Sequence, residues 1–324
     1  GDIKGISMKN RYGFGDNAPG NNSVSNLYTE NLRSLTKNIN LRVLTSEQFN
    51  QWQTNGYVIV KNSICHNAVE ETKEFLWEFQ EMNAIDSKTW YSPQLRDHQM
   101  EEINYSGMVE CYNNQVLWNN RQCPRIYDSF VDIWDREDLW VTIDRANLNT
   151  PNKNGREFDG FIHWDANTSL IPLPVNVQGV LALTNTDLET GGFQCVPGIF
   201  REMETWIREQ PDNRDPFHPD ISGYDIEFIS MKEGDLLIWN SLLPHGIRPN
   251  RSETARIAQY ISMVPAEEEN EEVLHWRIAS WSDRIPPEGY AFPGDPRNWE
   301  KKLYPRAILS PLGKKLLGLE SWLN

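Results

Sequence analysis

The sequence predicts a mainly β fold with flanking helices, and three observations support this prediction. After Leu139 the hydrophobic pattern changes to a period of two, the spacing of side chains on one face of a β-strand. The apolar segments that follow are short and are separated by Gly, Pro and Asn. Before Leu139, apolar residues recur with helical spacing. Together these patterns indicate a β-sandwich or barrel with an amino-terminal helical layer.

Composition limits the classes of protein and partner. The chain has 324 residues, of which 39% are hydrophobic, and a formal net charge of -15. This apolar content suffices for a core and excludes global disorder, while so acidic a surface repels phosphate backbones and anionic lipids. We therefore expect neither nucleic acid nor a membrane as a partner. No apolar run approaches the ~20 residues of a membrane helix and no basic-then-apolar leader opens the chain, so we expect a cytoplasmic protein with reduced cysteines.

Three segments with helical periodicity precede the β region. The first opens with a capping box, in which Thr45 and Gln48 satisfy each other's backbone N–H groups, and it ends at Gly56. The predicted elements are a helix over 45–56, a strand over 57–60, a helix that opens with Asn67-x-x-Glu70, and a helix over 124–134. Residues 1–44 lack a sustained period and are expected to form an arm.

Seven strands are predicted after Leu139. They cover 140–149, 160–167, 175–185, 193–197, 226–231, 235–239 and 256–264. An insertion at about 199–225 starts with a helical segment and continues as a Pro- and Asp-rich loop, the kind of loop that often forms a lid. We expect one domain over 45–266 that includes this insertion. The tail, 267–324, could cap a barrel mouth, pair subunits as a homodimer, or cover the core of the same domain.

One histidine–carboxylate pair lies inside a predicted strand. His163 and Asp165 are two residues apart, so a strand would place both side chains on one face. His218 and Asp220 have the same spacing, but Pro219 and the surrounding loop leave them without a rigid strand face. We therefore treat the first pair alone as half of a metal site.

Two downstream residues complete a recognisable constellation. The predicted strand 235–239 leads to His245, and Arg256 follows at the start of another predicted strand. Two His and one carboxylate on neighbouring strands form the facial triad of non-haem Fe(II) oxygenases, which leaves metal positions open for other ligands. An Arg side chain is suited to a cosubstrate carboxylate because its planar fork binds both oxygens and stays charged.

In their order and spacing these motifs resemble the Fe(II)/2-oxoglutarate-dependent dioxygenases of the phytanoyl-CoA dioxygenase superfamily, over about residues 45–266. The matching segments are the helix followed by Gly56-Tyr-Val-Ile-Val60, His163-x-Asp165, Leu181-Ala-Leu-Thr184, the segment from Thr190 to Gly198, Gly234-Asp235, and His245-Gly246 through Asn250-x-Ser252 to Arg256. The resemblance implies a double-stranded β-helix core, also called a jelly roll and cupin-like. One departure is Ile247, where relatives often have a Ser that contacts 2-oxoglutarate.

The resemblance also implies residue roles. His163, Asp165 and His245 would bind Fe(II), and Arg256 would hold the C5 carboxylate of 2-oxoglutarate. Further contacts to 2-oxoglutarate are expected from Asn147 and Thr184. Expected substrate contacts are Trp164, Arg145, Asn167 and Gln178.

The implied reaction uses O₂ and hydroxylates an unactivated C–H bond of a small metabolite or natural product, with release of succinate and CO₂. Such reactions are typical of secondary metabolism; desaturation, demethylation and rearrangement stay open. A CoA ester is not favoured because no Lys/Arg cluster is visible. Two alternatives are a non-catalytic jelly roll that binds a small molecule and a zinc-dependent hydrolase or lyase with the same triad. The intact triad together with Arg256 favours the oxygenase.

Overall fold

The computed structural model describes residues 31–91, 107–152, 160–290 and 292–324, so most of the predicted arm lies outside the described residues. Its helices, in order, are α1 Ser46–Asn55, α2 His66–Phe79, α3 Gln115–Arg121, α4 Pro124–Trp134, α5 Pro197–Arg201, α6 Met203–Glu209, α7 Glu271–Asp283, α8 Trp299–Leu303 and α9 Pro311–Leu317. Its strands are β1 Tyr57–Val60, β2 Met108–Val109, β3 Leu139–Val141, β4 Ala146–Asn149, β5 Val177–Ala182, β6 Gly192–Cys195, β7 Glu227–Phe228, β8 Leu236–Asn240, β9 His245–Arg248, β10 Arg256–Tyr260 and β11 Met263–Pro265. Helix accounts for 31% and strand for 17% of the described residues, so the fold is a mixed one with a β core and not a mainly β one.

The helical layer follows the sequence pattern closely at its first and last predicted helices. In α1, Thr45 Oγ1 accepts from Gln48 N at 3.1 Å and Gln48 Oε1 accepts from Thr45 N at 2.9 Å, which confirms the capping box. Gly56 ends α1 with φ +83°, a left-handed conformation that favours glycine. The bounds of α4 are also as predicted. The start of α2 is not, because Cys65 occupies its N-cap position and Asn67 lies inside the first turn.

In the part of the chain that the structure describes, three antiparallel sheets form the β core. The largest has the strand order β1-β8-β5-β10-β4-β2, the second has the order β7-β6-β9, and β11 pairs with β3. The predicted strand over 140–149 is two strands, β3 and β4, which belong to different sheets. The strand predicted over 160–167 is absent; His163 forms an isolated bridge to His245, and the next backbone N–H, that of Trp164, donates to the Phe217 carbonyl instead.

The largest sheet is covered on both faces. Alternate residues of its strands, such as Leu236 and Ile238, pack in an apolar cluster with the amino-terminal helices. The residues between them, such as Leu237 and Trp239, belong to a second cluster on the opposite face. The second cluster includes Phe200 from α5, part of the predicted insertion, which forms α5 and α6 where one helix was expected.

The carboxy-terminal tail packs on its own chain. Trp276 of α7 and Leu316 and Leu317 of α9 lie in the first apolar cluster, beside residues of α4 and β3. Buried Arg277 donates from its guanidinium to the carbonyls of Leu316, Leu317 and Val141. Among the helices that the structure describes, none has the length and apolar character needed to cross a membrane.

Candidate active site

Two imidazoles and one carboxylate converge at one end of the β7-β6-β9 sheet. His163 Nε2 lies 3.0 Å from Asp165 Oδ1, and His245 Nε2 lies 3.1 Å from Asp165 Oδ2. The ligand atoms of all three residues lie within 4.8 Å of one another. Reciprocal backbone hydrogen bonds of 2.8 and 2.9 Å between His163 and His245 fix the spacing of the two imidazoles. The three residues expected from the sequence are therefore adjacent in space.

Neighbouring polar groups orient the ligand atoms. His245 Nδ1 donates to the Leu243 carbonyl at 2.9 Å, so Nε2 is the ring nitrogen that faces Asp165 and is available to a metal. Gln178 Nε2 donates to Asp165 Oδ2 at 2.7 Å, and Trp239 Nε1 donates to Gln178 Oε1 at 3.1 Å. Gln178, expected as a substrate contact, thus holds the carboxylate, a role that its position in the sequence did not indicate.

The Asp165 carboxyl is held in its ionised form. Burial raises its pKa, but the charge of His163 and the hydrogen bonds from both imidazoles outweigh burial, so the pKa lies well below its usual range. An ionised carboxylate and two imidazole nitrogens suit a divalent transition metal, and a cluster of three protein ligands leaves coordination positions open. The donor set therefore fits Fe(II), and it also fits Zn²⁺.

A cavity of about 340 Å³ adjoins the three residues and lies between the largest sheet and the β7-β6-β9 sheet. Its lining includes Met108, Asp144, Arg145, Asn147, Asn149, Phe161, Gln178, Gly179, Val180, Phe193, Trp239, Gly246, Ile247, Arg256, Tyr260 and Ser262. Asn147 and Arg256, which the sequence pointed to, come from the paired strands β4 and β10.

Arg256 is a buried cation without an acidic partner in the part of the chain that the structure describes. Its side chain is 3% exposed, and its Nε has no hydrogen-bond partner there. Leaving a guanidinium buried without a counter-charge is costly, so this position is suited to an anionic ligand. A dicarboxylate with one end on a metal at the His–Asp cluster would supply that charge.

Three expected contacts lie elsewhere. Thr184 does not line the cavity, because its hydroxyl accepts from the Ile257 backbone N–H at 3.0 Å beyond the end of β5. Trp164 is fully buried in the second apolar cluster, where its Nε1 donates to the Leu242 carbonyl. The Asn167 side chain accepts from the backbone and hydroxyl of Ser169 and closes a turn. All three side chains have partners within the protein and lie outside the lining of the cavity, and their expected ligand contacts stay predictions.

Arg145 lines the cavity, and its expected contact with the substrate stays a prediction. It forms a buried ion pair with Glu110, and its guanidinium lies 4.0 Å from the centre of the Phe292 ring. The sequence did not indicate Glu110, since the pair joins β4 to residues near β2, far apart in the chain. The acidic residue that precedes Arg145, Asp144, also faces the cavity and was not predicted.

The buried surroundings of Asp144 destabilise the ionised form of its carboxyl. Burial raises the pKa of its carboxyl to about 6; Arg145 and Arg121 lower it in part, and Asp165 adds to the increase. A carboxyl whose pKa is higher in the folded state stabilises the fold when protonated, and this contribution is lost as the pH rises through 6.

We therefore expect Asp144→Asn to stabilise the metal-free protein at pH 7.5, by up to about 3 kcal/mol, because the amide needs no ionisation. The gain should shrink between pH 6 and pH 4, where the wild-type carboxyl becomes protonated. Urea unfolding across this pH range measures it, with Asp283→Asn, an exposed carboxylate, as the control. Equal stability of wild type and Asp144→Asn at pH 7.5 would contradict the raised pKa.

Comparisons with known proteins agree with this geometry. The phytanoyl-CoA dioxygenase (PhyH) family matches residues 52–258, a segment that contains the triad and Arg256. The Ava biosynthesis cluster protein O of Aspergillus versicolor is 22% identical over 267 residues, which cover 74% of this chain and 85% of that protein.

Two solved structures have a similar fold. The GlcNAc inducible gene 2 protein (DUF1479) of Candida albicans superposes with a TM-score of 0.62 at 14% identity, over 85% of this chain and 76% of that one. A hypothetical protein of Escherichia coli superposes with a TM-score of 0.59 at 14% identity, over 85% of this chain and 81% of that one. At such identities the likeness concerns the fold alone. The family match covers more than half of the sequence, and the chain belongs to the phytanoyl-CoA dioxygenase (PhyH) family.

Proposed function

We propose that this protein is an Fe(II)- and 2-oxoglutarate-dependent oxygenase that hydroxylates an unactivated C–H bond of a small metabolite, with release of succinate and CO₂. The observation that carries the proposal is the buried, acid-free Arg256 in the same cavity as the two imidazoles and the carboxylate. Membership of a family described as dioxygenases supports the reaction class. A relative named for a biosynthesis cluster supports a role in secondary metabolism.

The residues have separable tasks in this proposal. His163, Asp165 and His245 would hold Fe(II), and Arg256 would bind the C5 carboxylate of 2-oxoglutarate, with Asn147 beside it. Bound Fe(II) would supply O₂ activation coupled to oxidative decarboxylation of 2-oxoglutarate. Gln178 keeps the Asp165 carboxylate oriented toward the metal position.

The arrangement of the sheets supports the jelly-roll description of the core. The cavity has antiparallel strands on both sides, β4, β5, β8 and β10 on one and β6 and β9 on the other. Neither a binding-only jelly roll nor a zinc hydrolase accounts for Arg256, because neither needs a buried cation beside the metal ligands. The oxygenase is therefore the function that these residues support best.

An anaerobic titration tests the proposal. Metal-free protein receives Fe(II) and then 2-oxoglutarate, while the visible metal-to-ligand charge-transfer band is recorded. We expect a band in the wild type and none in His163→Ala, which removes one ligand. His218→Ala is the matched control, since His218 is exposed and bonds to Asp215 in the insertion loop.

The outcomes separate the three functions. A band that depends on His163, followed by succinate release in air, supports the oxygenase. A wild-type protein that binds Zn²⁺ at the triad but shows no band with Fe(II) and 2-oxoglutarate favours the hydrolase or lyase. Failure to bind either metal would favour the non-catalytic jelly roll and sink the proposal.

A further inference from the structure

The cavity contains a carboxylate that the proposed reaction does not use. Asp144 lies between β3 and β4, and one of its oxygens, Oδ1, accepts from the Arg145 backbone N–H at 2.7 Å. The other oxygen has no hydrogen-bond or ion-pair partner among the described residues, and the side chain is partly exposed where it lines the cavity. Asp144 therefore presents one free acceptor oxygen to whatever occupies this space.

The surrounding charges leave Asp144 without a dedicated counter-ion. Arg145 is engaged by Glu110 in a buried ion pair. Another nearby cation, Arg121, donates to the backbone carbonyl of Asp144 at 2.9 Å, and the charges of Asp144 and of buried Glu300 both attract it. Neither arginine forms an ion pair with the Asp144 carboxylate in the described residues. With a divalent metal and 2-oxoglutarate bound, the charges of the metal, Asp165, Arg256 and 2-oxoglutarate would cancel. The negative charge of Asp144 would then remain for the substrate to neutralise.

Asp144 and Arg256 are well separated along the cavity. The Tyr260 backbone N–H donates to the Arg145 carbonyl, which places Tyr260 opposite Arg145, the residue that follows Asp144. Arg256 is four residues earlier on the same strand, a separation of about 13 Å along β10. The cosubstrate end and the Asp144 end are thus distinct regions of one cavity.

The Asp144 end has the features of an ammonium-binding site. Tyr260 also lines the cavity, and its hydroxyl has no hydrogen-bond partner in the described part of the chain. The rings of Phe193 and Trp239 provide aromatic surface in the same cavity. A carboxylate attracts a protonated amine through a charge-assisted hydrogen bond and repels an anionic group, and the two aromatic rings, which pack on His245, suit an apolar part of the same molecule.

We propose that the substrate of this protein carries a protonated amine, which binds the Asp144 carboxylate and the Tyr260 hydroxyl while an apolar part of the molecule lies toward the metal. The inference rests on the proposed function, because it assigns the other end of the cavity to 2-oxoglutarate. The chemical class of the substrate follows from the negative charge at the Asp144 end of the cavity.

The test compares amines with neutral analogues of the same shape. A homologous series of ω-phenylalkylamines and the matching alcohols is titrated anaerobically into the Fe(II)–2-oxoglutarate protein, and binding is followed by the change in the charge-transfer band. We expect at least one amine to bind about tenfold more tightly than its alcohol, the size of effect typical of one charge-assisted hydrogen bond. Asp144→Asn should abolish this preference, and Asp283→Asn, at the exposed end of α7, should keep it.

Two results would overturn the inference. One is that no amine in the series binds more tightly than its alcohol; the other is that the preference survives in Asp144→Asn. The thermal shift of the metal-free protein with the same compounds provides a second readout. Absence of the charge-transfer band itself would refute the proposed function instead, and the thermal shift would still show whether the amine preference depends on Asp144.

Discussion

Replacing Arg256 with Ala is expected to weaken 2-oxoglutarate binding by at least about a hundredfold, while Fe(II) binding stays close to that of the wild type. The guanidinium is 3% exposed and is the cation of the cavity that has no acidic partner in the described residues. Its removal would leave a dicarboxylate buried without a counter-charge. The metal ligands come from other residues, so the first step of the titration should not change.

The measurement is the concentration of 2-oxoglutarate at half-saturation of the charge-transfer band. Arg256→Lys should be intermediate, because an ammonium keeps the charge but loses the planar fork. Arg251→Ala, an exposed arginine five residues away, is the matched control. If Arg256→Ala binds 2-oxoglutarate as tightly as the wild type, the buried arginine has another purpose.

A second large effect, on Fe(II) affinity, is expected at a glycine that is not itself a metal ligand. Gly246 lies in β9 directly after His245, and a Cβ built on it would lie 1.6 Å from the Phe161 backbone oxygen. A Cβ and a carbonyl oxygen cannot approach so closely, so Gly246→Ala must push the segment that carries Phe161 and His163 away from β9. We expect Fe(II) affinity to fall by about a hundredfold or more, since moving one ligand of three disrupts the site.

Equilibrium dialysis with Fe(II) under nitrogen measures this effect, and circular dichroism checks that the variant is folded. Gly223→Ala is the control, because no heavy atom lies within 4 Å of its added Cβ, although its φ of +85° brings local strain. Wild-type Fe(II) affinity in folded Gly246→Ala would show that the close approach of Phe161 and Gly246 does not hold His163 in place.

Local sequence signals predicted much of the fold. The capping box at Thr45, the glycine stop at Gly56 and the bounds of α4 were all readable, because they depend on neighbouring residues. The strands β2 and β9 were missed, since each is short and owes its conformation to pairing with distant residues. Helix α3 was also missed, as seven residues are too few to show a clear period.

In the candidate site, too, the sequence predicted some features, whereas others depend on pairing with distant residues. His163 and Asp165 were picked out as if they shared a strand, yet the structure places them in a bridge followed by a bend. Their side chains still meet, because a single bridge to His245 holds His163 and the turn brings Asp165 back toward both rings. The residue types were therefore readable although the geometric reason was wrong.

The sequence by itself determined the identity of the three candidate metal ligands, the cation Arg256 and the family, because these depend on residue types and their order along the chain. Only the tertiary structure decided which other polar groups line the cavity and which of them hold the candidate metal ligands in place. Gln178 donates to Asp165, whereas Thr184 and Trp164 bond to the backbone outside the cavity lining. Asp144 lines the cavity with one acceptor oxygen that has no partner in the described residues. Those roles depend on pairing between distant strands and on which buried charges find partners, and neither is recorded in the spacing of residues along the chain.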